Sequence, residues 1–394
     1  MATSLFWLPP AVHRSTRLRN ALVTACRTTG CWAVLAGWLL ATAAQAQPQL
    51  LKDINAAPAN SPYFGPINLT DVGRVLYFSA ANPANGRELW TSDGTPEGTR
   101  LIKDLRPGLE TSNPTNLTNV GGVLYFTADD GTTGTELYRS AGTPESTRLV
   151  KDITLGPAPS SLSKLTSAGG LLFFAATDPS TPSRGDLWRS DGTAEGTRPL
   201  RCSCPEPPDH FNPSQWMAVG GVLYFVADIG INDRQLWQSD GTEAGTVLIK
   251  DLYAPPGISS DKTARHNLTN VGGVLFFTDI NPVSNGRELW KSDGTPAGTV
   301  LVKTVSGGGG SPYTSSIGGL TDAGGTLYFV AGEGLYKSDG TPAGTSLVKS
   351  GGSGRYALNF SNLTSVDTML FFVVSGLDRP EWELWKSDGT PEGT

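Results

Sequence analysis

Glu288-Leu289-Trp290-Lys291-Ser292-Asp293-Gly294-Thr295 decides the fold, because this stretch is written, with small changes, seven times along the chain. Its aromatic returns as Trp90, Tyr138, Trp188, Trp237, Trp290, Tyr336 and Trp385, at intervals of 48, 50, 49, 53, 46 and 49 residues. By length alone, 394 residues suggest two or three domains. A period of this size instead marks an array in which each copy is one supersecondary unit that cannot cover its own apolar faces.

Reading outward from Trp290, the unit breaks into four short strands. Asn267 to Val271 precedes the Gly272-Gly273 turn, where glycine tolerates the positive φ of a tight hairpin. Val274 to Thr278 (VLFFT) is a second strand and Arg287 to Ser292 (RELWKS) a third. Asp293 to Gly298 is turn chemistry, and Thr299 to Lys303 (TVLVK) is the fourth strand. The second strand is apolar on nearly every residue, as in Leu124-Tyr125-Phe126 and Leu327-Tyr328-Phe329, so both of its faces need cover. Neighbouring units would supply it. The prediction is an all-β, seven-bladed β-propeller with four antiparallel strands per blade.

The chain ends sharpen the expectation. Asp388 to Thr394 completes the last turn, and no fourth strand follows. Near the other end, Leu50-Leu51-Lys52-Asp53-Ile54 matches the fourth strand Leu101-Ile102-Lys103-Asp104-Leu105. The N-terminal strand is therefore expected to complete the seventh blade, closing the ring and removing two sheet edges. The alternative is a fragment of a longer open array.

Residues 1–46 read as a signal peptide and 47–394 as the seven-repeat propeller. Arg14, Arg17, Arg19 and Arg27 precede the apolar run Cys31 to Ala44, and Ala44-Gln45-Ala46 is a small-residue cleavage pattern. Cleavage there leaves 26 basic against 36 acidic residues, a net charge of −10. That balance excludes nucleic acid or an anionic lipid surface as the expected partner. No later stretch could span a bilayer, so no membrane insertion is expected once the leader is removed. The expected location is secreted, periplasmic or at the cell surface. Only Cys202 and Cys204 then remain, so no disulfide framework is expected.

The copies Glu88 to Thr95, Glu288 to Thr295 and Glu383 to Thr390 resemble the ELWxxDGT repeat of secreted and cell-surface bacterial proteins, often labelled hyalin-like. The likeness spans residues 50–394. It implies a repeat architecture and a surface location, and it implies no reaction. The second copy departs from the pattern, with Tyr138 for the Trp and Ala141 for the Asp, and the sixth has Gly334 for the Glu. The copies are therefore not chemically equivalent.

Chemistry-bearing residues have structural readings beside functional ones. Asp93, Asp191, Asp240, Asp293, Asp339 and Asp388 suit a turn, where Asp accepts backbone amides, better than a calcium loop, which needs more oxygen ligands. The repeated Trp suits blade packing better than sugar stacking. Glu88, Glu136, Asp186, Glu288 and Glu383 suit blade-to-blade hydrogen bonding better than catalysis. Cys202, Cys204 and His210 fall short of a four-ligand zinc site, so no metal and no cofactor is expected. Asn68, Asn116, Asn267 and Asn362, each in N-L-T, follow the repeat. No G-x-S-x-G, Walker or H-E-x-x-H motif occurs.

The Gly-Gly and S-D-G-T turns share one side of the array and are nearly constant. Loops between strands two and three, and between units, share the other side and vary. Recognition is expected on that variable side or at the channel mouth. The candidates are Asp129, Asp130, Asp228, Asp233, Asp279, Arg265, His266, Tyr313, Arg355, Tyr356 and Trp382. The function expected is a non-catalytic binding or scaffold module for an extracellular protein or glycan. The alternative is a propeller-type glycan hydrolase or lyase with acids at the channel mouth.

Overall fold

In the computed structural model the described residues are 49–54, 65–177, 185–203, 211–230, 233–252, 266–281, 286–305, 317–332, 334–352, 358–376 and 379–394. Those from Leu50 onward form one compact unit. They contain strands and turns and no helix. The strands make seven antiparallel meander sheets, six of four strands and a last one of three. Blade 1 runs Ile67–Val72, Val75–Asn82, Gly86–Ser92, Arg100–Lys103. Blade 5 runs Thr269–Val271, Val274–Ile280, Arg287–Ser292, Val300–Val305, within two residues of the predicted strands. Blade 7 runs Leu358–Val366, Met369–Gly376, Arg379–Ser387.

The N-L-T signature has a backbone cause. Asn68, Asn116, Asn267 and Asn362 sit at φ between 46° and 57°, and Lys164 and Gly319 take the same place in blades 3 and 6. In blades 1, 2, 3, 6 and 7 the strand pairing slips at this position, which makes it a β-bulge. Asn and Gly tolerate the left-handed region best. The side chain there also reaches the next blade: Asn68 Nδ2 donates to the Pro114 carbonyl, Lys164 Nζ to Ser214 and Asn267 Nδ2 to Ile317.

Blades bury each other's faces as the apolar second strands required. Blade 1 offers Val72, Tyr77, Leu89 and Ile102 to Leu124, Phe126, Ala128 and Tyr138 of blade 2. The third-strand leucines Leu89, Leu137, Leu187, Leu236, Leu289 and Leu335 are all 0% exposed, whereas Leu384 in blade 7 is 75% exposed. Val72 at 5% and Val271 at 4% contrast in the same way with Val366 at 57%. Consecutive blades touch through their first strands, and no comparable contact joins Leu358–Val366 of blade 7 to Ile67–Val72 of blade 1.

The structure does not show the expected closing pair. Arg379–Ser387 is the last strand of its sheet, and residues 50–54 make no strand pairing. Among the described residues no fourth strand lies beside Arg379–Ser387, and Val366 and Leu384 of that blade stay exposed.

Candidate functional site

The constant side of the array is locked by its own hydrogen bonds. In every blade the motif Ser shares a hydrogen bond with the Thr seven residues on, as in Ser92 and Thr99 at 2.7 Å, and accepts the motif Gly amide. Asp93, Asp191, Asp240, Asp293, Asp339 and Asp388 each accept the amide and hydroxyl of the Thr two residues on. Those bonds hold all six carboxyls below the usual range. These aspartates are turn residues, as their sequence context suggested.

Blade 2 shows why the motif ends in Gly-Thr. A Cβ on Gly98, Gly196 or Gly245 would collide with the turn Asp carboxylate. Where Ala141 replaces that Asp, Ser146 replaces the Gly. Its hydroxyl accepts the Ala141 and Thr143 amides in the carboxylate's stead.

In blades 1 to 3 the acid ahead of the Leu-aromatic pair is buried and bound to chain leaving its own blade, whereas Glu288 and the half-buried Glu383 accept the indole N–H of Trp290 and Trp385. Glu88 accepts the amides of Leu105 and Ser112 and the Ser112 hydroxyl. Glu136 does the same with the Ile153 amide and Ser160 hydroxyl. Burial pushes both carboxyls up to about 7, against these hydrogen bonds. Asp186 instead takes Arg201 at 2.8 Å and the Phe211 amide. Glu88, Glu136 and Asp186 thus pin the connection running from one blade to the next, and Ser112 and Ser160 in those connections accept the Asp129 and Thr177 amides of the following blades.

A lysine clamp, which sequence reasoning missed, joins the blades. Lys103, from the fourth strand of blade 1, donates to Thr147 O in the blade 2 turn, and Lys151 to Ala194 O and Thr197 O in blade 3. Lys151, Lys250, Lys303 and Lys349 also lie over Trp188, Trp290, Tyr336 and Trp385 of the following blade, at 5.9, 4.4, 5.7 and 5.0 Å from the ring centroid. In these four copies the repeated aromatic is therefore both a packing residue and a cation seat. The signal was available in the recurring Lys-Asp-apolar triplets, such as Lys103-Asp104-Leu105 and Lys151-Asp152-Ile153.

The eleven recognition candidates do not converge. Asp129 pairs with Arg106 at 3.1 Å. Burial opposes charge on Asp130, but hydrogen bonds from Thr133 and Thr132 outweigh it and hold the carboxyl well below the usual range. Asp279 is buried, with Lys250 Nζ at 3.5 Å. His266 is buried, with Nδ1 2.9 Å from Thr278 O, and burial pushes its pKa down to about 4, so it is neutral. Asp228 and Asp233 lie in strands, on Val222–Gly230 and Asp233–Ser239. Arg265, Tyr313, Arg355 and Tyr356 lie outside the described residues, as do Cys204 and His210, while Cys202 is disulfide-bonded. Trp382 is 71% exposed on the last strand of blade 7, beside Leu384.

The candidate site is therefore the seam between the last and first blades. On one side stand Val366, Leu384 and the unpaired edge of Arg379–Ser387. On the other side is Gly94. Its counterparts Gly142, Gly192, Gly294, Gly340 and Gly389 press on Tyr77, Tyr125, Tyr224, Phe276 and Tyr328 of the preceding blade, whereas a Cβ on Gly94 would meet nothing.

Seven successive antiparallel blades define the chain as a protein of the β-propeller class. No family model matches it, and no curated protein does. Solved structures do. It is similar to a puromycin hydrolase (15% identity, 84% of this chain and 55% of that one, TM-score 0.38). It is also similar to prolyl oligopeptidase B from Galerina marginata (11%, 82% and 50%, 0.44). A third is the propeller domain of the trilobed protease from Pyrococcus furiosus, described as having an open velcro topology (12%, 83% and 94%, 0.38). The chain spans about half the length of the hydrolase and the oligopeptidase. The expected non-catalytic scaffold for protein or glycan has no counterpart in these three, whose names are those of a hydrolase, an oligopeptidase and a protease, and at 11–15% identity with TM-scores below 0.5 the likeness carries no activity to this chain.

Proposed function

We propose that this chain is an exported, peptidase-related propeller of ELWxxDGT repeats, a seven-bladed ring closed by its N-terminal strand, whose seam is where extended peptide enters. The observation that carries the reading is the uncovered last face: a leucine wholly buried six times is 75% exposed in the seventh copy. Beside it runs an open strand edge. Its main-chain donors and acceptors repeat at about 3.4 Å per residue, and a neighbouring strand satisfies them from about 4.8 Å away. A polypeptide backbone has that repeat and a glycan has not, so strand addition selects peptides.

The test incubates the mature chain with a labelled pentapeptide copying Leu101 to Leu105, with a fluorogenic peptide panel and with a polysaccharide panel. Saturable peptide binding, with slowed amide exchange at Leu384 and Trp385, is the expected result. Turnover of the peptide panel would place the reaction in this chain. Polysaccharide turnover, or no peptide binding up to ~1 mM, where association is worth only ~4 kcal/mol, would overturn the reading.

A further inference from the structure

We infer that Arg287, at the junction of blades 4 and 5 on the variable side, anchors a carboxylate-binding subsite, with Arg234 flanking it and His266 as its positioning residue. The inference does not rest on the peptide-entry reading, which concerns the seam between blades 7 and 1.

The non-equivalence of the copies carries the argument. Arg87, Arg234 and Arg287 hold one position, just ahead of Glu88, Gln235 and Glu288, and the other four units have no Arg there. Blades 4 and 5 are thus neighbours that both carry it. In blade 1 the guanidinium is spent on main chain: Arg87 Nη1 donates to the Ser79 carbonyl at 3.1 Å and the Gly65 carbonyl at 3.2 Å. Arg287 has the same register, facing Ile280 two residues past Thr278, as Arg87 faces Ala81 two past Ser79. In blade 5, however, the matching carbonyl is occupied. His266 stands where Ile67 does in blade 1, and its Nδ1 lies 2.9 Å from Thr278 O. A carbonyl can only accept, so Nδ1 carries the hydrogen. Arg287 is half-buried and makes no hydrogen bond or ion pair with the described residues. Its planar fork of N–H donors, partly withdrawn from water, lacks an acceptor.

The acids of this junction are already committed. Asp279, buried, has Lys250 Nζ at 3.5 Å, and Glu288, also buried, accepts the Asn281 amide and the Trp290 indole N–H. Arg234 has a partner of its own. Arg287 is therefore the cation left without a counter-charge. One unpaired guanidinium suits a monoanion, and the two coplanar oxygens of a carboxylate match its fork. The imidazole points the same way. His266 is 2% exposed, and its Nε2 is a buried lone pair with no partner. Burial, then the charges of Arg234, Arg287 and Lys250, keep that nitrogen unprotonated against the Thr278 hydrogen bond. A carboxylate on Arg287 offsets part of that positive field. The unpaired guanidinium and the unpartnered nitrogen are thus relieved by the same species, a negative charge at Arg287, and the imidazole reports its arrival.

The experiment titrates the mature chain with N-acetylglycine, whose carboxyl is ionised from about pH 5 to 8, and with the neutral N-acetylglycinamide. Glucuronate and inorganic phosphate are the other arms. Saturable binding of the carboxylates, at least about tenfold tighter than the amide, is the expected result. It should shift the ring nitrogen signals of His266 and raise its titration midpoint from about 4. N-acetylglycine binding tighter than glucuronate would make the source a chain end, and the reverse a uronate glycan; both support the subsite. Arg287→Gln should weaken binding at least about tenfold. It should leave the melting midpoint of the free protein unchanged, whereas Arg87→Gln, which removes two hydrogen bonds, should lower it. His266→Ile restores the blade 1 arrangement and frees the Thr278 carbonyl for Arg287. It should weaken carboxylate binding with no fall in the melting midpoint, an outcome that structural damage would not give. No saturable carboxylate binding up to ~10 mM would overturn the inference. So would phosphate binding tighter than either carboxylate, or undiminished binding in Arg287→Gln. The seam is read by amide exchange at Leu384 and this subsite by His266, so each reading can fail alone.

Discussion

At the scale of single residues, the motif is a set of hydrogen-bond obligations, and blade 2 shows they can be met in two ways. Asp with Gly six copies over, and Ala141 with Ser146 once, each supply one oxygen to the same amides. Asp191→Ala should therefore lower the melting midpoint by about 1–3 °C. Adding Gly196→Ser should recover most of the loss, as scanning calorimetry on the single and double variants can check. Glu88 and Glu136 carry a different consequence. Both hold their proton more tightly folded, at about 7, than unfolded, near 4.5. The stabilisation that follows is fully present below pH 4.5 and is lost as pH rises through 7. It amounts to on the order of 1–3 kcal/mol per group. Urea midpoints should fall between pH 5 and 8, and the double variant Glu88→Gln/Glu136→Gln should flatten that curve. An equally steep fall in the double variant would assign the pH dependence to other groups.

At the scale of strands and turns, sequence and structure agree wherever the determinant is local. Four strands in six of the seven units, the Gly-Gly hairpin and the S-D-G-T turn follow from residue chemistry within a few positions of each other, and all are found. The asparagines of N-L-T were legible as repeat features, but their left-handed φ and reach to the next blade were not, because a bulge is a property of two strands in register. The lysine clamp escaped notice for a similar reason: its aromatic partner lies roughly forty residues ahead, where neither helical nor strand periodicity connects them. Candidate loop acids failed differently. Asp129, Asp130 and Asp279 looked available, yet turns and nearby cations consume polar groups locally before a distant ligand can. The clamp is testable through Lys250, which sits 4.4 Å from the Trp290 centroid and 3.5 Å from Asp279. Lys250→Met keeps the aliphatic stem and removes the charge. It should cost about 0.5–2 kcal/mol in urea unfolding, with the loss shrinking in high salt.

At the scale of the whole molecule, the count of seven follows from the repeat, but whether the ends meet depends on rotation accumulated over all the blades, which no local pattern encodes. Closure has an energetic signature even so. Truncating a buried core leucine costs about 2–5 kcal/mol, while an exposed one costs little. Leu335→Ala removes a leucine that is covered within the array. Leu384→Ala removes its counterpart at the seam, which is 75% exposed while the seam is open. In a closed ring the two substitutions should destabilise the protein alike. Deleting Gln47 to Asn55 should then abolish cooperative unfolding and make Leu384→Ala neutral in what remains, because the strand that holds the last face in place is gone. If Leu384→Ala is already neutral in the full mature chain, the seam stays open in solution and the array is a linear one. The comparison therefore reads the state of the seam from stability alone, independently of any ligand.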